Sequence, residues 1–224
     1  MVPVVTLDGP TSSGKGTISR GLAARLQWHL LDSGALYRLV ALSGEQLGLE
    51  PDDVAGHARA AQALDATFGA VQQDERIWLA GRDVTAEVRT AAAAMGASRV
   101  AAWPEVRNAL LARQRRFARE PGLVADGRDM GTVVFPDAAL KVFLTASPEE
   151  RARRRYKQLK DKGSGVSLAA LSREIAERDL RDSTRAVAPL RPAADAHVID
   201  STTLNIQDVI EQVLALGRSR SLWS

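Results

Sequence analysis

The part of the chain that most constrains its fold is a glycine-rich segment at residues 9–17, with the sequence Gly-Pro-Thr-Ser-Ser-Gly-Lys-Gly-Thr. The short apolar run before it, residues 4–7, predicts a buried strand. Lys15–Leu26 predicts a helix, because its apolar residues recur on one face. Glycines let backbone N–H groups approach phosphate oxygens closely, and a helix N-terminus attracts anions. A strand, a glycine loop and a helix in this order therefore predict a phosphate-binding loop.

Every residue of this phosphate loop (residues 9–17) is a candidate for contacting the phosphates of ATP: Gly9, Pro10, Thr11, Ser12, Ser13, Gly14, Lys15, Gly16 and Thr17. Lys15 is a candidate catalytic residue, because its charge can neutralise the β- and γ-phosphates. Thr17 is a candidate ligand for Mg²⁺, mostly through water. The generic pattern has serine or threonine directly after the lysine, whereas Gly16 intervenes here. The alternative is a glycine-rich turn that binds nothing.

Strands and helices alternate along the rest of the chain. Apolar runs predict strands at residues 4–7, 29–31, 123–125, 140–144 and 198–199. Helices are predicted at residues 15–26, 35–47, 52–64, 89–101, 104–119, from 147 onward, 167–187 and 205–216. Residues 67–71 and 77–79 predict a small antiparallel piece, and residues 162–165 predict a flexible loop. This alternation predicts an α/β fold with a parallel sheet, which binds ligands at the carboxyl ends of its strands.

The composition excludes several kinds of protein. The chain has 224 residues and no cysteine, which excludes disulfides, thiolate catalysis and cysteine-bound zinc. It has neither a bilayer-spanning apolar run nor a signal-peptide pattern, so we expect a cytoplasmic protein that does not bind membranes. Of its 30 basic residues, 25 are arginine, whose planar fork binds phosphate with two hydrogen bonds. This excess is consistent with a phosphate pocket, with nucleic-acid binding, or with genome composition alone.

A second motif follows the central predicted strand at residues 125–131, with the sequence Ala-Asp-Gly-Arg-Asp-Met-Gly; we call it the acid–arginine turn. Arg128 is a candidate catalytic residue, because an arginine at the carboxyl end of a strand can hold a transferring phosphoryl group. Asp129 beside it can accept a hydrogen bond from an exocyclic amine. A self-neutralising turn with purely local bonds is the alternative.

Two basic clusters occur in the last third of the chain. Four residues of the predicted helix 167–187 have the spacing of one helix face: Arg178, Arg181, Asp182 and Arg185. A bound polyanion would explain this concentration, and a solvated, salt-bridged face is the alternative. The other cluster precedes the loop at 162–165: Arg151, Arg153, Arg154 and Arg155. A basic helix beside a flexible loop is typical of a lid that closes over ATP and excludes water.

Seven segments, in order along nearly the whole chain, resemble bacterial cytidylate kinases of the nucleoside monophosphate kinase group: residues 8–17, 28–38, 84–90, 97–102, 123–136, 177–189 and 193–203. The most specific are Asp-Gly-Arg-Asp-Met-Gly-Thr-Val-Val-Phe-Pro at 126–136 and Asp-Ser-Gly-Ala-Leu-Tyr-Arg at 32–38. Gly-Lys-Gly-Thr is this family's own form of the phosphate loop. The resemblance implies a single α/β P-loop domain in three layers with a central five-stranded parallel sheet. Its core would be residues 1–34, 103–150 and 166–224, with a monophosphate-binding flap at about 35–102 and a short lid at about 151–165.

The resemblance also implies the reaction, which is transfer of the γ-phosphoryl group of ATP to CMP or dCMP with Mg²⁺. It implies a monomer that binds these small molecules and no nucleic acid. ATP would contact the phosphate loop and Arg154. Ser33, Arg38 and Arg128 would surround the CMP phosphate, and Arg178 and Asp182 would lie near the pentose. The cytosine would be surrounded by Ser98, Arg107, Asp129 and Arg185, with Asp129 accepting from its 4-amino group. The region 48–82 matches the family loosely and contributes no predicted site residue.

Two alternatives share the phosphate loop. A kinase for UMP, AMP, shikimate or dephospho-coenzyme A would not need residues 126–136 or 177–189 as they stand. An ATP-dependent nucleic-acid-binding protein would be consistent with the sequence pI of about 9.6. Only 4% of the residues are aromatic, however, and no basic run is interleaved with aromatic residues that could stack on bases.

Overall fold

The computed structural model describes residues 2–69, 76–161 and 165–223. Its strands are β1 (Val4–Asp8), β2 (His29–Asp32), β3 (Ala66–Phe68), β4 (Ile77–Leu79), β5 (Arg82–Asp83), β6 (Leu123–Gly127), β7 (Leu140–Thr145) and β8 (His197–Asp200). Five of them form one sheet in the order β2-β6-β1-β7-β8, and every neighbouring pair is parallel. The predicted five-stranded parallel sheet is therefore confirmed.

Helices cover both faces of this sheet. They are α1 (Lys15–Leu26), α2 (Ser33–Gln46), α3 (Val54–Gln62), α4 (Thr85–Val88), α5 (Ala91–Val100), α6 (Pro104–Arg115), α7 (Pro148–Lys160), α8 (Leu168–Thr184) and α9 (Ile206–Ser219). A short π-helix, Met130–Val134, follows the acid–arginine turn. Within the described residues no helix has the length and apolarity needed to cross a membrane.

Side-chain alternation along the strands creates the three layers. In β6, Leu123 and Ala125 belong to the apolar cluster that contains residues of α2 and α6, whereas Val124 belongs to the cluster that contains residues of α1 and α9. Successive strand residues point to opposite faces of a sheet, so a strand covered on both sides is apolar throughout. This is why the short runs at 4–7 and 123–125 could be recognised as central strands.

The segment between β2 and α6 forms a helical layer with a small antiparallel sheet, β3-β4-β5, at its side. The prediction of a two-stranded piece was incomplete, because β5 is only two residues long and carries no apolar pattern. Part of the predicted strand 67–71 lies outside the described residues, and β3 itself ends at Phe68. Residues 162–164 of the predicted flexible loop also lie outside the described residues.

Helix α8 corrects the prediction that four charged residues share one helix face. The helix ends at Thr184, and Arg185 has the extended backbone angles φ −60° and ψ 140°. Arg181 is exposed, whereas Asp182 is buried. The periodicity of residues 167–187 could not reveal this end, because the chain continues without a glycine or proline until Pro189.

Candidate active site

The phosphate loop joins β1 to α1 in a conformation that requires glycine. Gly9 has a φ of +154°, and a Cβ atom there would lie 2.1 Å from the carbonyl oxygen of Leu144 on β7. Gly14 has a φ of +94° and directly precedes α1. Both positions therefore need a residue without a side chain. The N-terminus of α1 then follows the loop and can contribute N–H groups to an anion.

Lys15 lies folded over the loop and is only 9% exposed. Its Nζ donates to the carbonyl oxygen of Pro10 at 3.1 Å. Burial, followed by the positive charge of Arg128, lowers the pKa of Lys15, and Asp126 opposes this shift. An anion bound in the loop would favour the charged form of this side chain and give its ammonium group better partners.

Two arginines of α7 donate hydrogen bonds to carbonyl oxygens of the loop. Arg154 donates from Nη1 to the carbonyl oxygen of Ser13 at 3.0 Å and to Ser201 Oγ at 3.1 Å. Arg151 donates to the carbonyl oxygen of Thr11 at 3.3 Å and pairs with Asp179 of α8 at 2.6 Å. The structure thus places Arg154, which was predicted to contact ATP, against the phosphate loop. Arg151 was predicted only as part of a basic lid cluster, and its buried contact with the loop is a tertiary feature.

The acid–arginine turn extends from the carboxyl end of β6 towards α8. Arg128 Nε donates to Asp182 Oδ2 at 2.9 Å. Burial acts to raise the pKa of Asp182, but Arg128 and Arg178 outweigh it and hold that pKa below its usual value. Burial and then Arg128 lower the pKa of Arg178 to about 10. The arginines here therefore outnumber the carboxylates that neutralise them, as in a site for a polyanion.

Asp129 lies at the centre of a buried charged cluster. Its carboxylate pairs with Arg107 of α6 through Oδ2, and its Oδ1 lies 3.8 Å from Nη2 of Arg185. Asp129 and Arg107 are 3% and 7% exposed. The guanidinium of Arg107 also lies over the ring of Tyr37, 5.8 Å from its centroid. The cluster offers a hydrogen-bond acceptor and several donors close to an aromatic ring, which suits a polar base.

Several polar atoms of these residues are buried and have no hydrogen-bond partner within the described residues. Near the phosphate loop they are Ser13 Oγ and Asp126 Oδ1. Elsewhere in the site they are Ser98 Oγ, Arg178 Nε and Arg185 Nη2. Buried polar groups without partners are rare in folded proteins, because each costs free energy. A polar ligand bound in the cleft would supply partners for Ser98, Asp126, Arg178 and Arg185, which line it.

One open cleft of about 1050 Å³ brings these groups together. All but three of the predicted site residues line it; the exceptions are Gly9, Pro10 and Ser13. Pro10 and Ser13 use their carbonyl oxygens to accept from Lys15 and Arg154, behind the loop surface. The predicted residues Ser33, Arg38 and Ser98 reach the same cleft from α2 and α5.

Sequence reasoning missed other residues of the cleft. Asp126 was identified only as part of the turn, but its Oδ2 lies within 3.2 Å of where a Cβ of Gly16 would be. Asp32 lies opposite Asp126 in the register of β2 and β6. Phe68 and Arg76 line the cleft from the region 48–82, which contributed no predicted site residue. Asp32 and Asp126 are about 94 positions apart in the sequence, and the pairing of β2 with β6 that brings them together leaves no local signal in the sequence.

Comparisons with known proteins agree on what the chain is similar to. The family described as "Cytidylate kinase" matches residues 5–219. A cytidylate kinase from Stutzerimonas stutzeri is 55% identical over 223 residues, which cover 99% of this chain and 97% of that protein. One from Pseudomonas syringae pv. tomato is 58% identical over 215 residues, covering 95% and 94%. The crystal structure of an uncharacterized protein from Eubacterium ventriosum has a TM-score of 0.51 at 9% identity, covers 97% of this chain and 99% of that chain, and shows the fold alone.

Proposed function

We propose roles for the residues of the cleft from one premise: the chain belongs to the cytidylate kinase family. It transfers the γ-phosphoryl group of ATP to CMP or dCMP, giving ADP and CDP or dCDP, in pyrimidine nucleotide metabolism. Family membership removes the alternatives of a kinase for shikimate or dephospho-coenzyme A and of a nucleic-acid-binding protein. The observation that carries the residue roles is the cleft in which the phosphate loop faces several half-buried arginines, among them Arg38, Arg128 and Arg178.

ATP binds with its phosphates on the phosphate loop. Lys15 provides the positive charge for the β- and γ-phosphates, and its depressed pKa is relieved when that anion arrives. Arg154 holds the loop in shape through Ser13. The adenosine extends towards apolar side chains that line the same cleft, Leu204, Ile206 and Val209.

Mg²⁺ fits the residues beside the loop. Asp126 Oδ1 is a buried carboxylate oxygen without a hydrogen-bond partner in the described residues, and Asp126 and Thr17 both line the cleft. Carboxylate and hydroxyl oxygens together with water are the ligands that Mg²⁺ prefers. We therefore assign Thr17 and Asp126 to hold the ion, directly or through water. When bound, it would neutralise charge on the β- and γ-phosphates.

The acceptor phosphate is bound by Ser33, Arg38 and Arg128. Phosphoryl transfer depends on positioning and charge neutralisation, and these arginines spread positive charge around the group in transit. The attacking oxygen belongs to a phosphate that is already anionic, so no general base is required. Asp182 orients Arg128 through their 2.9 Å hydrogen bond and lies beside the pentose together with Arg178.

The cytosine is read by the cluster around Asp129. The carboxylate accepts from the 4-amino group, whereas a uracil would present a carbonyl oxygen there and be repelled. Ser98 and Arg185 have buried atoms free for the other edge of the base. Arg107 is held by Asp129 and by the carbonyl oxygen of Ala101 at 3.2 Å, so its position is set before the nucleotide binds.

The chain acts as a monomer in three functional parts, with residues 35–102 as the flap, 151–165 as the lid and the remainder as the core. The family resemblance is the ground for the monomer. The flap contributes Arg38 and Ser98, and the lid contributes Arg154, so both parts contact the substrates. ATP and CMP are cytoplasmic metabolites, which supports a cytoplasmic location.

ADP release with ATP and Mg²⁺ against CMP, dCMP, UMP, AMP and shikimate tests the function directly. We expect strong turnover with CMP and dCMP and little with the other acceptors. Absence of turnover with every acceptor, in a protein that still binds ATP, would refute the kinase assignment.

The variant Lys15→Ala tests the donor side. We expect turnover to be lost while circular dichroism and cooperative unfolding show a folded protein, because the lysine acts on the phosphates. Arg25→Ala is a matched control, since Arg25 is an exposed cation of the same helix that pairs with Glu211 outside the cleft. Normal turnover by a purified Lys15→Ala protein would contradict the assignment of the loop.

A further inference from the structure

Asp8 is a buried carboxylate to which the mechanism above gives no role. It ends β1 and is 5% exposed. Its Oδ1 accepts from the backbone N–H of Met130 and its Oδ2 from that of Gly131, both at 2.8 Å. These two N–H groups begin the π-helix that follows the acid–arginine turn. A single side chain of β1 therefore caps a helix more than 120 residues further along the chain.

The residue that would normally provide this cap is Asp129, which directly precedes the π-helix. The first backbone N–H groups of a helix have no partner within the helix. The side chain of an aspartate that precedes the helix ordinarily accepts a hydrogen bond from one of them. Asp129 makes no such hydrogen bond, because its carboxylate is directed to Arg107 and Arg185. Asp8 makes the bonds that Asp129 does not make, and the carboxylate of Asp129 remains available to the cleft.

The packing around Gly131 shows that the contact is close. A Cβ atom at Gly131 would lie 2.9 Å from Thr6 Oγ1 and 3.2 Å from the side chain of Lys141, so the π-helix lies directly against β1 and β7. Asp8 also immediately precedes Gly9. The same short stretch of β1 therefore supports both the phosphate loop and the start of the π-helix.

A carboxylate is an expensive choice for this position. Burial, assisted by the charges of Asp129 and Asp126, raises the pKa of Asp8 to about 7, although the two backbone hydrogen bonds act to lower it. An ionised carboxylate accepts two N–H groups without offering a hydrogen of its own. An asparagine would direct its NH₂ group at one of these N–H donors. The need for two acceptor oxygens explains why a carboxyl side chain suits this position better than an amide.

We propose that Asp8 is a positioning residue: by capping the π-helix in place of Asp129, it fixes the acid–arginine turn against the phosphate loop and releases the Asp129 carboxylate for the base. This inference rests on the proposed role of Asp129. It adds to that role a residue that contacts neither nucleotide.

The variant Asp8→Asn tests the proposal, with the CMP-to-UMP ratio of kcat/KM as the readout. We expect the ratio to fall by about 10-fold or more, since a displaced turn moves Asp129 from the base. We also expect KM for CMP to rise. A residue that only stabilises the fold would reduce the active fraction equally for both substrates and leave the ratio unchanged, and that result would overturn the proposal.

Lys141→Met is the matched control. Lys141 is also buried beside Gly131, and it pairs with Asp195 at 2.9 Å, but it does not bond the two N–H groups. We expect this variant to lose stability and keep the wild-type ratio. A ratio that falls as far in Lys141→Met as in Asp8→Asn would overturn the proposal, because any disturbance near Gly131 would then suffice.

Two further measurements separate the possible failures. If Asp129→Asn changes the ratio and Asp8→Asn does not, the proposal for Asp8 fails while that for Asp129 stands. If neither variant changes the ratio, the proposed role of Asp129 fails together with that of Asp8. If Asp8→Asn does not fold, amide hydrogen exchange in the wild-type protein decides. We expect Met130 and Gly131 to exchange as slowly as Val124 of β6 before CMP is added. Exchange that becomes slow only with CMP would show that the nucleotide orders the turn, and would overturn the proposal.

Discussion

Replacing Asp129 by asparagine isolates the contact through which we expect the enzyme to distinguish cytosine from uracil. The change keeps the shape of the side chain and removes its charge. The new amide carries an NH₂ group that can donate to the 4-carbonyl of uracil. We therefore expect kcat/KM to fall for CMP and to rise, relative to CMP, for UMP.

The magnitude follows from the burial of the cluster. A good polar contact to a base edge contributes about 1–3 kcal/mol of discrimination, which corresponds to roughly 5- to 150-fold in the CMP-to-UMP ratio. Arg107 and Asp129 have side chains that are 8% and 4% exposed. Removing one charge of a buried pair costs about 3–5 kcal/mol of stability, and the asparagine retains part of the hydrogen bonding. The ratio of two substrates is independent of the fraction of enzyme that is folded.

The assay measures ADP release at saturating ATP with CMP and UMP in turn, for wild-type enzyme, Asp129→Asn and Asp129→Ala. Asp195→Asn is the matched control, because it leaves the 9%-exposed Lys141 without its carboxylate partner outside the cleft. That control should lose stability and keep the ratio. An unchanged ratio in folded Asp129→Asn and Asp129→Ala proteins would refute the reasoning and show that other groups read the base.

Three further predictions concern stability and the donor side. The folded-state pKa of Asp8 is about 7, above the ordinary value of 3.8, so the contribution of Asp8 to the free energy of unfolding declines as pH rises through this window. Between about pH 5 and pH 8, the free energy of unfolding measured in urea should shift by about 2 kcal/mol in favour of Asp8→Asn relative to the wild type. Parallel plots of this free energy against pH for the two proteins would contradict the prediction. Gly9→Ala should lower the free energy of unfolding by about 3 kcal/mol or more, because the new Cβ would meet a backbone oxygen at a residue with positive φ. At Gly165 a new Cβ would have no atom within 4 Å, so the control Gly165→Ala should change the free energy of unfolding by no more than about 0.5 kcal/mol. Arg154→Met should raise KM for ATP about 10-fold and leave KM for CMP unchanged, because it removes charged hydrogen bonds to the loop. Arg153 is on the exposed side of the same helix, so the control Arg153→Met should change neither KM value.

Local sequence determined the parts of this protein whose interactions lie within a few residues. The apolar strand, the glycine loop and helix α1 were located correctly, because periodicity and backbone freedom are local properties. The same holds for the starts of α7 and α9, where Ser147 and Asn205 cap the first turn by accepting backbone hydrogen bonds. The residue patterns alone did not decide whether the turn at 125–131 and the arginine cluster bind a ligand or make only local interactions. The family resemblance predicted that both belong to the site.

Only the tertiary structure decided which distant residues meet. The register of β2 and β6 brings Asp32 opposite Asp126, and the end of β1 brings Asp8 to the N-H groups of Met130 and Gly131. The end of α8 at Thr184 likewise depends on the surroundings of Arg185, which turns towards Asp129. Pairing between strands and the position of a buried charge depend on the packing of the whole chain. A pattern that repeats every two or four residues contains no information about a partner about 120 residues away, and this is why the cap supplied by Asp8 is visible only in the folded protein.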